Sequence, residues 1–287
     1  MKIGIIGGGR VGLCLAEYLH ENLVAITAST TSKNEVLAQR FQTECCTNES
    51  LVKKAEVILI TVPDRKIEPI ATELANSLTV QGKVFLHCSG SLTLEPLMAL
   101  QNAGAYIGSL HPLQSFSGGK TNLKGVYMAI DGNGKAVTTA QKIVELLQGH
   151  SFCVPAEERA AYHAAACICS NYAVTVEALA QRLMSRWLGN EASAWQALLP
   201  LFRGTVSNIQ ETISPAKALT GPIARGDIIT IQKHLHETLP PENVTEEAPE
   251  ATEPAPEKKG CGASIAPAAA IIGAVAVAVA TKKKKED

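Results

Sequence analysis

Six residues near the start of the chain constrain it most: Gly7-Gly8-Gly9-Arg10-Val11-Gly12. They follow a short apolar run, Lys2–Ile6, and open a helical pattern over Val11–His20. Glycines at G-x-G-x-x-G spacing have separate physical tasks between a strand and a helix. Gly7 permits a tight turn, Gly9 lets an anion approach the backbone, and Gly12 lets helix and strand pack closely. The helix N-terminus adds N–H donors without intrahelical partners and a positive dipole end. A glycine-rich turn with no ligand is the bland reading. The flanking strand and helix favour a dinucleotide site, with Gly7, Gly9, Arg10, Val11 and Gly12 around the pyrophosphate.

The pattern after this turn supports that reading. Strands are expected at Val24–Ala28, Val57–Thr61, Val84–His87, Tyr106–Leu110 and Val126–Ile130. Helices are expected between them, at Lys33–Phe41, Ile67–Ser77, Leu94–Ala103 and Lys135–Leu147. Near-continuous apolar strands alternating with helices imply a parallel sheet covered on both faces, so residues 1–154 read as an α/β Rossmann domain with a doubly wound sheet. Aromatic residues are only 4% of the chain, so its core must be built from Ala, Val, Leu and Ile.

Beyond Val154 the strand signal stops. Glu157–Arg186 lacks Pro and Gly and reads as one long helix, followed by helical patterns at Ala192–Phe202, Thr205–Ile213 and Ile228–Leu239. Residues 155–239 are therefore expected to form a smaller all-α domain. Residues 240–260 are acidic and Pro-rich and read as a disordered linker. Residues 261–287 hold an apolar stretch, Gly262–Ala280, and a Lys-rich end. That stretch is long enough to span a bilayer but Ala-rich, so it could tether the protein weakly to a membrane or stay out of it.

The formal net charge is −1, which argues against nucleic-acid binding by bulk electrostatics. The eight cysteines form no CxxC pair and no zinc-spaced run, so reduced core thiols, and no metal, are expected. Nothing at the N-terminus resembles a signal peptide, which points to the cytoplasm.

The end of the second strand bears on nucleotide choice. NAD enzymes place an acid there for the ribose hydroxyls. Here Ser29, Thr30 and Thr31 supply hydroxyls with no acid beside them, and Lys33 or Arg10 could hold a 2′-phosphate. NADP(H) is the expected cofactor. The same stretch also reads as a capping turn in which Ser32 caps the next helix.

Ligands of open parallel sheets bind beyond the carboxyl ends of the strands. Val62, Pro63 and Asp64 end one strand and are expected near the cofactor, although ordinary turn chemistry explains Asp64 equally well. Ser89 and Gly90 end the next and are expected near the substrate. His111 ends the fifth, held extended by Pro112, and suits the proton shuttle that accompanies hydride transfer. His163 and Asn171 fall on the long helix with Cys167 at i, i+4 and i+8, sharing one face, and are expected to orient the substrate. Both could equally be buried polar groups of the helical domain. Arg225 could clamp a substrate carboxylate, and Asp227 could contact substrate or cap the following helix.

These motifs resemble a bacterial family of Rossmann-like oxidoreductases whose C-terminal half is a domain of unknown function. The resemblance runs from Met1 to about His236. It is carried by the glycine turn, Val62-Pro63-Asp64, Ser89-Gly90, Ser109-Leu110-His111-Pro112-Leu113-Gln114-Ser115-Phe116, Tyr162-His163-Ala164-Ala165-Ala166, Asn171-Tyr172 and Leu219–Asp227. The family is similar in plan to pyrroline-5-carboxylate reductase, ketopantoate reductase, 6-phosphogluconate dehydrogenase and prephenate dehydrogenase. It also resembles proteins described as coenzyme F420-dependent NADP oxidoreductases.

The resemblance implies hydride transfer between NADP(H) and a small carbonyl, imine or hydroxy-acid metabolite by a homodimer joined through the helical domain. Cys167 stands where hydroxyacid dehydrogenases of this plan carry a lysine, so their lysine relay does not carry over. The His111-Pro112 pair resembles the prephenate dehydrogenase pattern instead. Thr30 stands where relatives often have an arginine. The alternatives to an enzyme are a non-catalytic NADP(H) sensor and a membrane-tethered interaction protein.

Overall fold

The computed structural model describes residues 1–117 and 121–238. Leu239 and the stretches expected as an acidic linker, 240–260, and an apolar tail, 261–287, lie outside the described residues. Among the described residues no helix is long and apolar enough to cross a membrane. The chain divides into two compact units, Met1–Ile168 and a second beginning at Cys169.

The first unit runs β1 (Ile3–Ile6), α1 (Arg10–Tyr18), β2 (Leu23–Thr27), α2 (Thr31–Phe41), α3 (Asn48–Lys54), β3 (Val57–Ile60), α4 (Ile67–Ser77) and β4 (Val84–His87). It continues with α5 (Met98–Asn102), β5 (Tyr106–Pro112), β6 (Tyr127–Gly132), α6 (Lys135–Leu146), β7 (His150–Cys153) and α7 (Arg159–Cys167). Seven strands form one sheet in the order β2-β1-β3-β4-β5-β6-β7.

Strand side chains alternate between faces, and here both faces are buried. Ile3, Ile5, Leu59 and Leu86 pack on one side with Leu15 of α1 and Ile143 of α6. Ile6, Ile58, Ile60 and Phe85 pack on the other with Leu51 of α3 and Leu74 of α4. This two-sided burial is the doubly wound Rossmann architecture expected from the apolar strand runs. As the composition requires, the core is aliphatic, with Phe85 the one buried aromatic among the described residues.

The sheet departs from the expected all-parallel form at one place. Strands β1 to β5 are parallel, but β6 runs antiparallel to β5, with His111 opposite Ala129. No helix lies between β5 and β6 among the described residues. Without a crossover helix the chain comes back beside β5 in the opposite sense. Two elements were not foreseen. Strand β7 is a mostly exposed edge strand and carries no apolar run. Helix α3 is only seven residues long and is capped by Thr47, whose side chain accepts from the Ser50 amide.

Of the described cysteines all are free, but only Cys14 is buried in the core. Cys45, Cys153 and Cys169 are exposed, which corrects the expectation of mostly buried thiols. Each flanks the end of an element rather than its buried face.

The stretch expected as one helix consists of α7, a π-helical turn at Ile168–Tyr172 and α8 (Ala173–Leu188). A π turn shifts the phase of the residues that follow it. The α-helical spacing that put Asn171 on the face of His163 and Cys167 therefore does not hold.

The second unit contains α8, α9 (Glu191–Thr212), α10 (Pro215–Ala218), α11 (Gly221–Arg225) and α12 (Ile228–Thr238). The two helices expected at Ala192–Phe202 and Thr205–Ile213 are one, α9, which continues through Pro200 and Gly204. Asn190 caps it by accepting from the Ser193 amide at 2.9 Å. Helix α8 ends at Gly189 with φ 78°, a left-handed C-terminus that favours glycine. Only Leu179 and Ala194 are buried among the described residues of this unit. Val174, Trp187, Leu201, Ile213 and Ile229 are each at least 69% exposed.

Candidate active site

The glycine turn between β1 and α1 has the geometry its sequence implies. Gly7 has φ 124°, a conformation L side chains rarely adopt. A Cβ on Gly12 would sit 1.9 Å from the Gly7 carbonyl oxygen. Both glycines are thus demanded by the fold itself. Gly9 is different: its backbone is extended, and a Cβ there would meet only the Thr61 carbonyl oxygen, at 4.0 Å. No protein group requires glycine at this position, so the open space beside it is where a ligand can reach the backbone. Helix α1 has no acidic residue in its first turn and no side-chain cap at Gly9. Its first N–H groups are available to an anion, and a dinucleotide pyrophosphate fits this cradle. Arg10 lies beside it, 3.4 Å from the Phe116 carbonyl, and Val11 packs against the core.

Two adjoining cavities continue from the turn. One of about 280 Å³ is lined by Gly7, Ser29, Val62, Pro63 and Lys66 among others. The second, of about 410 Å³, is lined by Ser29, Thr30, Thr31, Asn34, Glu49 and Glu73 among others. Ser29, Thr30, Thr31, Val62 and Pro63, all named from the sequence as cofactor candidates, thus line two adjoining cavities, but the sequence reading was incomplete. It missed the two carboxylates, because α3 and α4 bring Glu49 and Glu73 in from outside the β2 end. It also missed Asn34 and Asn48, which fix the rim. Asn34 Oδ1 accepts from the Ala28 amide, and Thr27 Oγ1 donates to Asn48 Oδ1 at 2.6 Å. The helix cap is Thr30 rather than Ser32: Thr30 Oγ1 accepts from the Lys33 amide at 3.4 Å, because α2 begins at Thr31, earlier than expected.

The ends of β3 and β4 meet. Asp64 Oδ2 accepts from Ser89 Oγ at 2.9 Å and from Ser91 Oγ at 3.1 Å. Ser89 Oγ in turn accepts from the Leu92 amide at 3.2 Å. Asp64 is thereby committed to shaping the loop that carries Gly90. Beneath it, His87 Nδ1 accepts from the Ser89 amide at 3.2 Å, so its proton sits on Nε2, which donates to the Thr93 carbonyl at 3.0 Å. Burial lowers the His87 pKa to about 4, which keeps the ring neutral.

His111 lies at the centre of a second cluster. Its Nδ1 is 2.6 Å from the Tyr162 hydroxyl. Tyr162 meets the imidazole edge-on, with centroids 5.6 Å apart. The His163 ring lies 6.1 Å away, again edge-on. Gly90 lies between the two histidines. A Cβ there would come within 2.8 Å of both His111 Nε2 and His163 Nδ1. Burial, then the neighbouring His163 and Arg159, pushes the His111 pKa down to about 4. Burial pushes Tyr162 up to about 12. At neutral pH the pair is an uncharged imidazole and an uncharged phenol in short contact. With Nδ1 accepting the phenol proton, Nε2 carries the imidazole proton beside Gly90.

His163 Nε2 lies 3.5 Å from Cys167 Sγ, and its buried Nδ1 has no protein partner. The structure thus brings together His111, His163, Gly90 and Ser89 at the ends of β4 and β5. Sequence reasoning missed Tyr162 and Arg159 as functional residues. The signal was present in the spacing of α7, since residues 159, 162 and 163 project toward one side of a helix.

The remaining candidates belong to the second unit. Asn171 lies exposed in the π turn, and Arg225 is exposed at the end of α11. Asp227 caps α12: Oδ1 accepts from the Thr230 amide at 3.1 Å, and Oδ2 from its hydroxyl at 2.7 Å. These bonds from Thr230 lower the Asp227 pKa.

Comparison with known families divides the chain between β5 and β6, earlier than the boundary between the two compact units. Residues 1–112 match the family model described as a Rossmann-like domain. Residues 126–250 match the family described as Domain of unknown function (DUF2520).

The chain pairs a Rossmann-like domain with a DUF2520 domain.

Solved structures share the fold over nearly the whole length. BF3122 from Bacteroides fragilis, described as a provisional NADP oxidoreductase, is 20% identical with a TM-score of 0.69, covering 98% of both chains. TM1727 from Thermotoga maritima is 26% identical, with a TM-score of 0.66 over 82% of this chain and 90% of its own. An imine reductase from Myxococcus stipitatus in complex with NADP+ is 15% identical, with a TM-score of 0.58 over 82% of this chain and 86% of its own. A search of curated proteins finds no match to this sequence.

Proposed function

We propose that this Rossmann–DUF2520 protein is an NADP(H)-dependent oxidoreductase that moves a hydride to or from a small carbonyl, imine or hydroxy-acid metabolite. The observation that carries the reading is the placement of the neutral His111–Tyr162 pair at the end of β5, on the same edge of the sheet as the open Gly9 cradle. A bound nicotinamide would supply the hydride chemistry; a proton must move to or from the substrate heteroatom in the same reaction. His111 Nε2 is the group that gives or takes that proton, and Tyr162 supports it through Nδ1. Glycine at position 90 lets both imidazole rings pack against this loop, since a Cβ there would come within 2.8 Å of each. Asp227 is proposed to act on substrate only by holding the start of α12.

NADP(H) is favoured over NAD(H) by the hydroxyls of Ser29, Thr30 and Thr31 at the β2 end and by Lys66 on the adjoining cavity, while Glu49 and Glu73, which enter from α3 and α4, weigh toward the ribose hydroxyls of NAD(H). The imine reductase neighbour bound to NADP+ supports the same choice. The reaction is assigned to the cytoplasm, where this cofactor is found.

The exposed apolar side chains of α8, α9 and α12 favour a homodimer joined through the second unit. Val174, Trp187, Leu201 and Ile229 would be covered by a second copy.

The test is titration of the full chain with NADPH and NADH by fluorescence, followed by NADPH oxidation against a panel of cyclic imines, keto acids and aldehydes. Tighter NADPH binding and turnover of at least one member support the proposal. Tight binding with no turnover across the panel supports a sensor, and no binding refutes both.

A further inference from the structure

Arg159 opens α7 and is 1% exposed. Its Nη2 donates to Ser109 Oγ on β5, while Nε and Nη1 have no protein partner. The nearest carboxylate, Asp131, lies 3.8 Å from Nη2 and is itself partly exposed. A buried guanidinium so thinly compensated is costly, and structural packing alone would be served as well by an apolar residue. Four buried side-chain polar atoms lack a partner among the described residues, and three of them are Arg159 Nε, Arg159 Nη1 and His163 Nδ1. The unpaired polarity of the first unit is therefore concentrated around His111.

We infer that Arg159 is a positioning residue for proton transfer: anchored on Ser109, it holds Tyr162 against His111 and compensates the phenolate that forms when Tyr162 gives up its proton. The inference rests on the hydride-transfer reading above. As the substrate is reduced, its heteroatom takes the proton from His111 Nε2. His111 Nδ1 takes the Tyr162 proton, so the imidazole stays neutral and the negative charge appears on the Tyr162 oxygen. A proton from solvent then restores the phenol. In oxidation every transfer reverses.

The sequence places the cation for this work. Arg159 and Tyr162 are three residues apart on α7, neighbours on one side of the helix. The Arg159 charge favours the phenolate of Tyr162, against the burial that raises its pKa. The same charge disfavours imidazolium at His111 and His87. The other groups acting on His111 are His163 and His87, which lower its pKa, and Asp64, which raises it. Burial is the main cause of the neutral imidazole at His111, and the Arg159 charge adds to it.

The test is the titration of His111 in the full chain without cofactor, followed by NMR of the imidazole nitrogens, in wild type, Arg159→Lys, Arg159→Met and Ser109→Ala. Arg159→Met keeps the volume and removes the charge, so the His111 midpoint should rise by about half a pH unit or more. Arg159→Lys should stay near wild type. Ser109→Ala frees the guanidinium without removing it and should give a smaller rise, which also serves if Arg159→Met does not fold. Turnover should fall roughly tenfold to a hundredfold in Arg159→Met and be largely retained in Arg159→Lys. A His111 midpoint unchanged in both Arg159→Met and Ser109→Ala overturns the proposal and leaves the hydride-transfer reading intact. Absence of NADPH and NADH binding by wild type overturns that reading, whatever the midpoint does.

Discussion

The Thr61 hydroxyl donates to the Gly7 carbonyl at 2.7 Å and so ties the end of β3 to the glycine turn. The same oxygen lies where a Cβ on Gly12 would come within 2.5 Å of it. One small side chain thus fixes the carbonyl at the start of the turn and fills the space under the start of α1.

Thr61→Val keeps the shape and removes the donor. A net hydrogen bond is worth about 1 kcal/mol of folding stability, so the melting temperature should fall by about 2–4 °C, and dinucleotide affinity should fall as the turn loses its tether. Thr61→Ser should bind like wild type. Equal affinity of Thr61→Val and wild type in a fluorescence titration would show that the bond does not position the turn.

The glycines separate in a second experiment. Gly12→Ala drives a methyl into the Gly7 carbonyl and should lower the melting temperature strongly. The Cβ that Gly9→Val adds meets no protein atom closer than the Thr61 carbonyl oxygen, so the variant should melt near wild type while losing dinucleotide binding. Thermal melts and titrations of both variants check this. Normal binding by Gly9→Val would remove the cofactor from this turn.

Strand runs such as Val57–Ile60 and Val84–His87 announced the sheet because both faces are buried, and the glycine spacing announced the turn. What stayed hidden was set by partners far apart in the chain. The antiparallel turn of β6 depends on a connection with no helix among its described residues, which no residue of β6 itself signals. The carboxylates of Glu49 and Glu73 approach the β2 end from other helices. Tyr162 and Arg159 gain meaning only because β5 brings His111 and Ser109 against α7. Asn171 was misplaced by assuming unbroken α-helical spacing across a π turn. The cap at Thr30 shows the ordinary limit on reading a helix boundary to one residue.

Acid should destabilise the first unit through its histidines. His87 and His111 have pKa values lowered to about 4, below the ordinary value of 6.5. Between those limits the unfolded chain binds more protons than the folded one, so stability rises with pH. The stabilisation is complete above about pH 6.5 and is lost as pH falls through about 4. Urea denaturation across this window should show a falling midpoint on acidification, and His87→Gln should flatten the slope. A wild-type midpoint constant from pH 7 to 4 would contradict the buried neutral histidines.

The helical unit carries the dimer proposal. Light scattering should give twice the chain mass for wild type. Replacing Val174 and Ile229 with glutamate puts charge on side chains that are each 69% exposed, so folding should survive while the mass falls to that of one chain. A single-chain mass for wild type at tens of micromolar would remove the second copy as the cover for these helices.

The central claim is that His111 passes the proton that accompanies hydride transfer. The direct measurement is NADPH oxidation by wild type and His111→Ala on the same reducible substrate, with NADPH affinity measured alongside. The account predicts unchanged affinity and turnover lower by roughly two to four orders of magnitude. Turnover by His111→Ala equal to wild type would contradict it.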